Sequence, residues 1–330
     1  IVGVVVTLLA GKYLDLWKNL GSRVEIYGFL SVFLIAVTCG VTSLHFLKKI
    51  PDLEKERSKG EGFTFWKTIK IPFGDSNFLR FAIFSTVWGF SVNLASPFFA
   101  VYMLKDLNMS YALLALVTIL NEISSILSLP LWGRLSDRFG SKPVLFLTTL
   151  SAALLPMLWL FTVSRHFVLI IIILQLYGGL FWSGLNLNNN NLLLKLAPKE
   201  NNSIYLATFA ALTGLATAVA PILGGFLANE LRGTALNLGF TRIHDLHFLF
   251  LISGILRLAS RFFLQKVAEP KEKPVGRMIR ALGRLGTINV TKGFEPLLNY
   301  VYLATSRITD FIEKKENSPK NEKIDEDDQN

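Results

Sequence analysis

The sequence predicts an all-α integral membrane protein. Three observations carry that expectation: seven apolar runs of membrane-spanning length, a composition poor in acidic residues, and basic segments confined between and after the runs. A helix needs about twenty apolar residues to cross a hydrocarbon layer about 30 Å thick. The chain is 51% hydrophobic over 330 residues, and its 26 Phe outnumber its 24 Asp plus Glu. Its mean hydropathy is +0.44, the composition of a chain solvated by lipid. The net charge of +10 does not argue for nucleic acid, because the basic residues fall between apolar runs rather than along one helical stripe. Cys39 is the one cysteine, which rules out an intrachain disulfide and a cysteine-based metal cluster. No phosphate-binding loop, nucleophile elbow or His-Glu metal pattern occurs, so no enzyme, metal or cofactor is expected.

Taken in order, Ile1 to Leu14 is apolar but too short to cross. No basic stretch precedes it and no small-residue cleavage site follows, so it reads as the second part of a helix rather than as a signal peptide. Complete spans are expected near 26–47, 78–104, 110–132, 142–163, 166–194, 203–228 and 246–266. The charged stretch Lys48 to Pro72 separates the first from the rest, with Phe63 to Ile71 apolar enough to lie on the membrane surface. Beyond Pro270, Arg277, Arg280 and Arg284 form a basic segment. Leu297, Val301, Ala304, Ile308 and Phe311 then recur at helical spacing, predicting an amphipathic helix from Pro296 to Lys314. It is suited to anionic lipid or to the bundle. From Glu316 onward the chain is charged without apolar anchors, and disorder is expected.

Alternate loops differ in charge. One set holds twelve basic residues, among them Lys48, Lys49, Lys70, Arg134, Arg138, Lys142 and Lys195, with the basic tail on the same side; the other holds seven, from Lys12 to Arg242. The excess predicts that the first set and the C-terminus are cytoplasmic.

Between the spans 110–132 and 142–163 lies Gly133-Arg134-Leu135-Ser136-Asp137-Arg138-Phe139-Gly140-Ser141-Lys142-Pro143. Glycines there suit a close helix approach and a tight reversal, Asp137 can accept hydrogen bonds from backbone donors at a helix N-terminus, and the basic residues can pair with carboxylates or lipid phosphates. This run resembles the signature of the major facilitator superfamily, a Gly-x-Leu-small-Asp-basic-aromatic-Gly run at a cytoplasmic turn. An internal repeat agrees: Leu8-Leu9-Ala10-Gly11 has a counterpart in Ile222-Leu223-Gly224-Gly225, and the following spans close on Phe46-Leu47-Lys48-Lys49 and Phe263-Leu264-Gln265-Lys266. The copies are six spans apart, as two six-helix halves on one plan require.

The resemblance implies helices five to twelve of a bundle that is N-terminally incomplete in this chain, with a cytoplasmic amphipathic tail. It divides the chain into 1–47 (partial helix five and helix six), 48–77 (central cytoplasmic linker), 78–270 (C-terminal six-helix half) and 271–330 (tail). It also implies a secondary transporter in the cell membrane, moving a small-molecule substrate by alternating access and coupled to protons or another ion. Gly133, Asp137, Arg138 and Gly140 match the family's conformational latch. The alternative of another class is a nontransporting receptor or scaffold of the same fold.

Polar residues inside spans are the candidate site. Glu122, beside Asn121 and one turn from Ser124 and Ser125, can carry a proton, bind a cation or contact substrate; a structural, protonated Glu is the competing reading. Trp88 and Asn93 on the span 78–104, and Tyr177, Trp182 and Asn186 on the span 166–194, are candidates to line a substrate cavity, with core packing as the alternative. The four asparagines Asn188 to Asn191 cover every helix face, so some must meet neighbouring helices or water. Arg257 and Arg261, in the last span, are expected to run their stems to the cytoplasmic interface, with a partner inside the bundle as the lesser alternative for Arg257.

Overall fold

The computed structural model describes residues 2–21, 24–47, 49, 65–163, 167–237, 242–270 and 272–283. Ten helices follow one another among them: α1 (Val2–Leu20), α2 (Glu25–Leu47), α3 (Phe65–Gly74), α4 (Ser76–Val101), α5 (Tyr111–Phe139), α6 (Ser141–Leu158), α7 (Phe167–Leu196), α8 (Asn202–Glu230), α9 (Leu246–Gln265) and α10 (Val275–Gly283). All seven predicted spans are helices long and apolar enough to cross a membrane. One departure from an all-α chain is a three-residue antiparallel pair between α8 and α9, β1 (Ala235–Asn237) with β2 (Arg242–His244), in register Leu236 to Ile243. The amphipathic helix predicted from Pro296 to Lys314 and the charged end lie outside the described residues.

Helices α4 to α9 form one body. Its main seams are α5 with α7, α4 with α8, α4 with α9, α6 with α7 and α6 with α9. Exchanging α4, α5, α6 for α7, α8, α9 turns this set of seams into itself. Because three spans reverse the chain's direction across a membrane, the two triplets are inverted copies of one plan. That symmetry lies inside the six-helix body and is separate from the six-span repeat read from the sequence.

The hydrocarbon solvent explains the patterning. Seven long helices leave large apolar residues on the outside, for example Phe33, Ile126, Ile173, Phe226 and Phe262, while the seams gather aromatic residues in two cores. One holds Phe78, Phe81, Phe84 and Trp88; the other holds Tyr102, Trp159 and Phe250. At the second core the Tyr102 hydroxyl meets Thr162 Oγ1 at 3.0 Å and His247 Nε2 at 3.1 Å, so three buried polar groups satisfy one another at the end of the body away from the signature turn.

Helix α1 joins this body through α5, and α2 packs on α1. The first exposed N–H groups of α5 are all met. Tyr111 and Ala112 donate to the two oxygens of Asp15, each at 2.8 Å, and Leu113 donates to Ser110 Oγ at 3.1 Å. A carboxylate at a helix N-terminus also opposes the positive end of the helix dipole. Lys18 sits over the Tyr111 ring at 5.4 Å and Phe29 meets the same ring edge-on at 5.6 Å. Of the stretch predicted to lie on the membrane surface, α3 is helical and packs against α4 and α8.

Candidate functional site

The signature segment does not form one loop. Helix α5 continues through Gly133 to Phe139, Gly140 makes the reversal alone, and α6 starts at Ser141. The Gly140 φ is 101°, a conformation that a residue with a Cβ adopts only at a cost. Gly133, by contrast, has room: a Cβ there would stand 4.0 Å from its nearest neighbour, Leu187. The close approach expected at Gly133 is therefore absent, and the reversal expected at Gly140 is present.

Capping of α6 follows from its first three residues. Pro143 has no N–H, so Ser141 and Lys142 are the donors left over once Val144 enters the helical ladder. Both donate to one carboxylate, that of Glu269, at 3.0 and 2.7 Å. The Lys195 ammonium, from α7, reaches the same carboxylate at 2.8 Å and the Ser141 hydroxyl at 2.8 Å, and Ser141 meets Ser136 at 3.1 Å. Glu269 is 6% exposed. Burial alone would raise the pKa of its carboxyl; the bonds from Lys142 N–H, Lys195 and Ser141 N–H, with the Lys195 charge, outweigh burial and hold it below the ordinary value.

The segment after α9 is stitched down on both sides of Glu269. Asn77 and Ala268 exchange two hydrogen bonds at 2.8 Å each, Arg80 donates to the Lys266 carbonyl, and Lys273 N–H donates to the Phe139 carbonyl at 3.0 Å. Lys142 and Glu272 pair at 3.0 Å. Asp137 thus leaves the capping of α6 to Glu269, which is already in place there. Asp137 and Arg138 are exposed at the end of α5, and Asp137 makes no hydrogen bond or ion pair with a described residue. Sequence reasoning passed over Glu269.

The polar residues within the spans separate into three places. In the α5–α7 seam, Asn121 donates to the Gln175 carbonyl at 3.0 Å, Ser124 to the Leu176 carbonyl at 2.6 Å, and Trp132 to the Leu180 carbonyl at 2.6 Å, with Ser128 and Ser183 paired at 2.7 Å. Gly179 makes this approach possible, since a Cβ there would collide with the Asn121 carbonyl oxygen. On the first core, Trp88 and Trp182 come together with ring centroids 6.1 Å apart, Trp88 buried and Trp182 half-buried. Asn93 turns back to its own helix, donating to the Gly89 carbonyl. Tyr177 faces away from Trp182: its hydroxyl donates to the Ser151 carbonyl of α6, and its ring meets Phe181.

Glu122 and Asn186 are exposed on the body. Of the asparagine run, Asn188 is fully buried and donates to the Gly184 carbonyl, while Asn189 accepts from Ser85 at 3.1 Å. Arg257 does not extend to the interface. It is 2% exposed and donates to the Ala152 carbonyl, whereas Arg261 lies over the Phe146 ring at 4.1 Å.

The six-helix body, its inverted triplets and the signature at the α5–α6 turn converge with a family match. The family model described as Major Facilitator Superfamily covers residues 81–309. The chain belongs to this superfamily. It is also similar to the multi-drug resistance efflux pump PmrA of Streptococcus pneumoniae in two strains, with 28% identity over 211 residues in each case. Those matches take in 62% of this chain and 50% of the pump, so the chain spans about half the length of the curated relatives it matches. Membership of the Major Facilitator Superfamily makes it a multi-pass membrane protein.

Proposed function

We propose that this chain belongs to a secondary transporter that moves a small, partly apolar solute out of the cell by alternating access, driven by a proton or other ion gradient. The observation that carries the reading is the α5–α6 turn: its shape is fixed by Glu269 from below, while Asp137 and Arg138 stand exposed and ready for a partner that is present in one conformation and withdrawn in the other. Gly133, Asp137, Arg138 and Gly140 are the latch, on the cytoplasmic side with the C-terminus. The name of the similar pumps supports export of drug-like solutes, and half-buried Trp182, backed by buried Trp88, supplies an aromatic surface on which such a solute can pack. Glu122, an exposed carboxylate on α5, is the coupling residue.

The test is flux in vesicles carrying the full protein under an imposed proton gradient. Substrate movement that follows the gradient is the expected result, with Glu122→Gln abolishing gradient dependence while leaving equilibration of solute intact. Gradient-driven flux retained by Glu122→Gln would remove its coupling role. Absence of any flux across a broad solute library would favour the receptor or scaffold reading.

A further inference from the structure

The segment that follows α9 forms an open cavity of about 340 Å³ against the start of α6. Pro143 and Phe146 of α6, and Pro274 and Val275 at the start of α10, give it apolar walls, and Lys142, Lys273 and Glu272 bring charge to its edge. We infer that this cavity holds the phosphate head of an anionic phospholipid, recognised by the ammonium groups of Lys142 and Lys273.

Depth, charge and shape support that occupant together. Lys142, Pro143 and Phe146 belong to the first two turns of one span, Ser141–Thr162, Gln265 is the last residue of another, Leu246–Gln265, and the remaining lining residues, 272–275, follow that span, so the cavity lies at the level where hydrocarbon gives way to lipid headgroups. Glu269, a buried acid, is spent on α6 and Lys195. That leaves two lysines against Glu272 in the lining, a net charge that one phosphodiester neutralises, with the Lys273 ammonium resting 5.9 Å from the centre of the Phe139 ring. Arg261 adds a further cation behind the Phe146 wall, bonded to the Phe146 carbonyl through one terminal nitrogen, with its Nε unpartnered among the described residues. Outside, Ile255 and Phe262 lie on the exposed apolar face of α9, a surface that acyl chains cover. Lys142 is already partnered by Glu272 at 3.0 Å with both side chains partly exposed, so a phosphate joins an existing exposed pair instead of breaking a buried one.

The experiment is native mass spectrometry of the delipidated intact protein titrated with phosphatidylglycerol, with phosphatidylcholine as the zwitterionic comparison and inorganic phosphate as the soluble source of the same chemistry. Preferential retention of phosphatidylglycerol is expected, weakened about fivefold for each lysine removed in K142Q and K273Q. V275W, which fills the cavity and leaves the charges in place, is expected to abolish the preference; its melting temperature without lipid, compared with that of the parent, checks that it folds. Equal retention of the two lipids, or a preference unchanged in both K273Q and V275W, overturns the proposal. Competition by inorganic phosphate at the same concentration as the lipid would mean a soluble anion site and overturns it as well.

Discussion

Glu269 concentrates several demands at one carboxylate: two backbone donors, one ammonium and near-complete burial. Because its pKa in the folded chain lies below the ordinary value of 4.5, the stability it supplies is complete above that value and is lost as pH falls through the lower, folded value. Glu269→Gln removes the charge and keeps one acceptor oxygen. It is expected to cost about 1–2 kcal/mol at neutral pH and to flatten the acid limb of a melting curve measured from pH 7 to pH 3. An acid limb identical to that of the parent protein would show that another carboxylate controls the transition. The residue was illegible in the sequence for a physical reason. A cap supplied from 127 or more positions away depends on tertiary placement, and neither helical period nor local capping rules encode it.

Elements were legible where lipid dictates them. Each span shows itself by length and apolarity, because backbone groups in hydrocarbon must be satisfied within the helix. Which face of a span meets a neighbour is less visible, since lipid-facing and neighbour-facing residues are both apolar; Tyr177 and Trp182, both candidates to line one cavity, meet Ser151 of α6 and Trp88 of α4. Polar seams are the exception. Asn121, Ser124, Ser128 and Trp132 recur along one side of α5 and all reach α7. The α1–α5 seam carries its own test. Asp15→Ala leaves the Tyr111 and Ala112 donors without their carboxylate and is expected to lower stability by about 1–2 kcal/mol, read as a fall in melting temperature that Asp15→Asn partly restores. No fall in either variant would mean that water replaces the cap at no cost.

At the scale of the molecule, the signature turn was legible as a motif and the repeat as a count of spans, but the exchange symmetry of the two triplets was not. It resides in which helices touch, and inverted copies share little sequence order that a linear reading can align. Two polar residues of the spans, Glu122 on α5 and Asn186 on α7, are exposed on the body. In a Cys39→Ser background, a cysteine placed at Asn186 is expected to react with a membrane-impermeant maleimide from one side of the vesicle, with solute changing the rate. Equal inertness from both sides in all conditions would place Asn186 against lipid or packed helix.

The Asp15 contact has a mechanical consequence. It pins α1 to the first residues of α5, while the signature turn lies at the other end of the same 29-residue helix, about 43 Å away at 1.5 Å per residue. A fulcrum at one end of a long rod turns small angles into large displacements at the other. With both Asp15 bonds intact, a tilt of about ten degrees between α1 and α5 carries the Gly140 end through about 7 Å, more than the length of the ion pairs that would hold it. Two hydrogen bonds at one end of α5 can thus stay made while its other end moves.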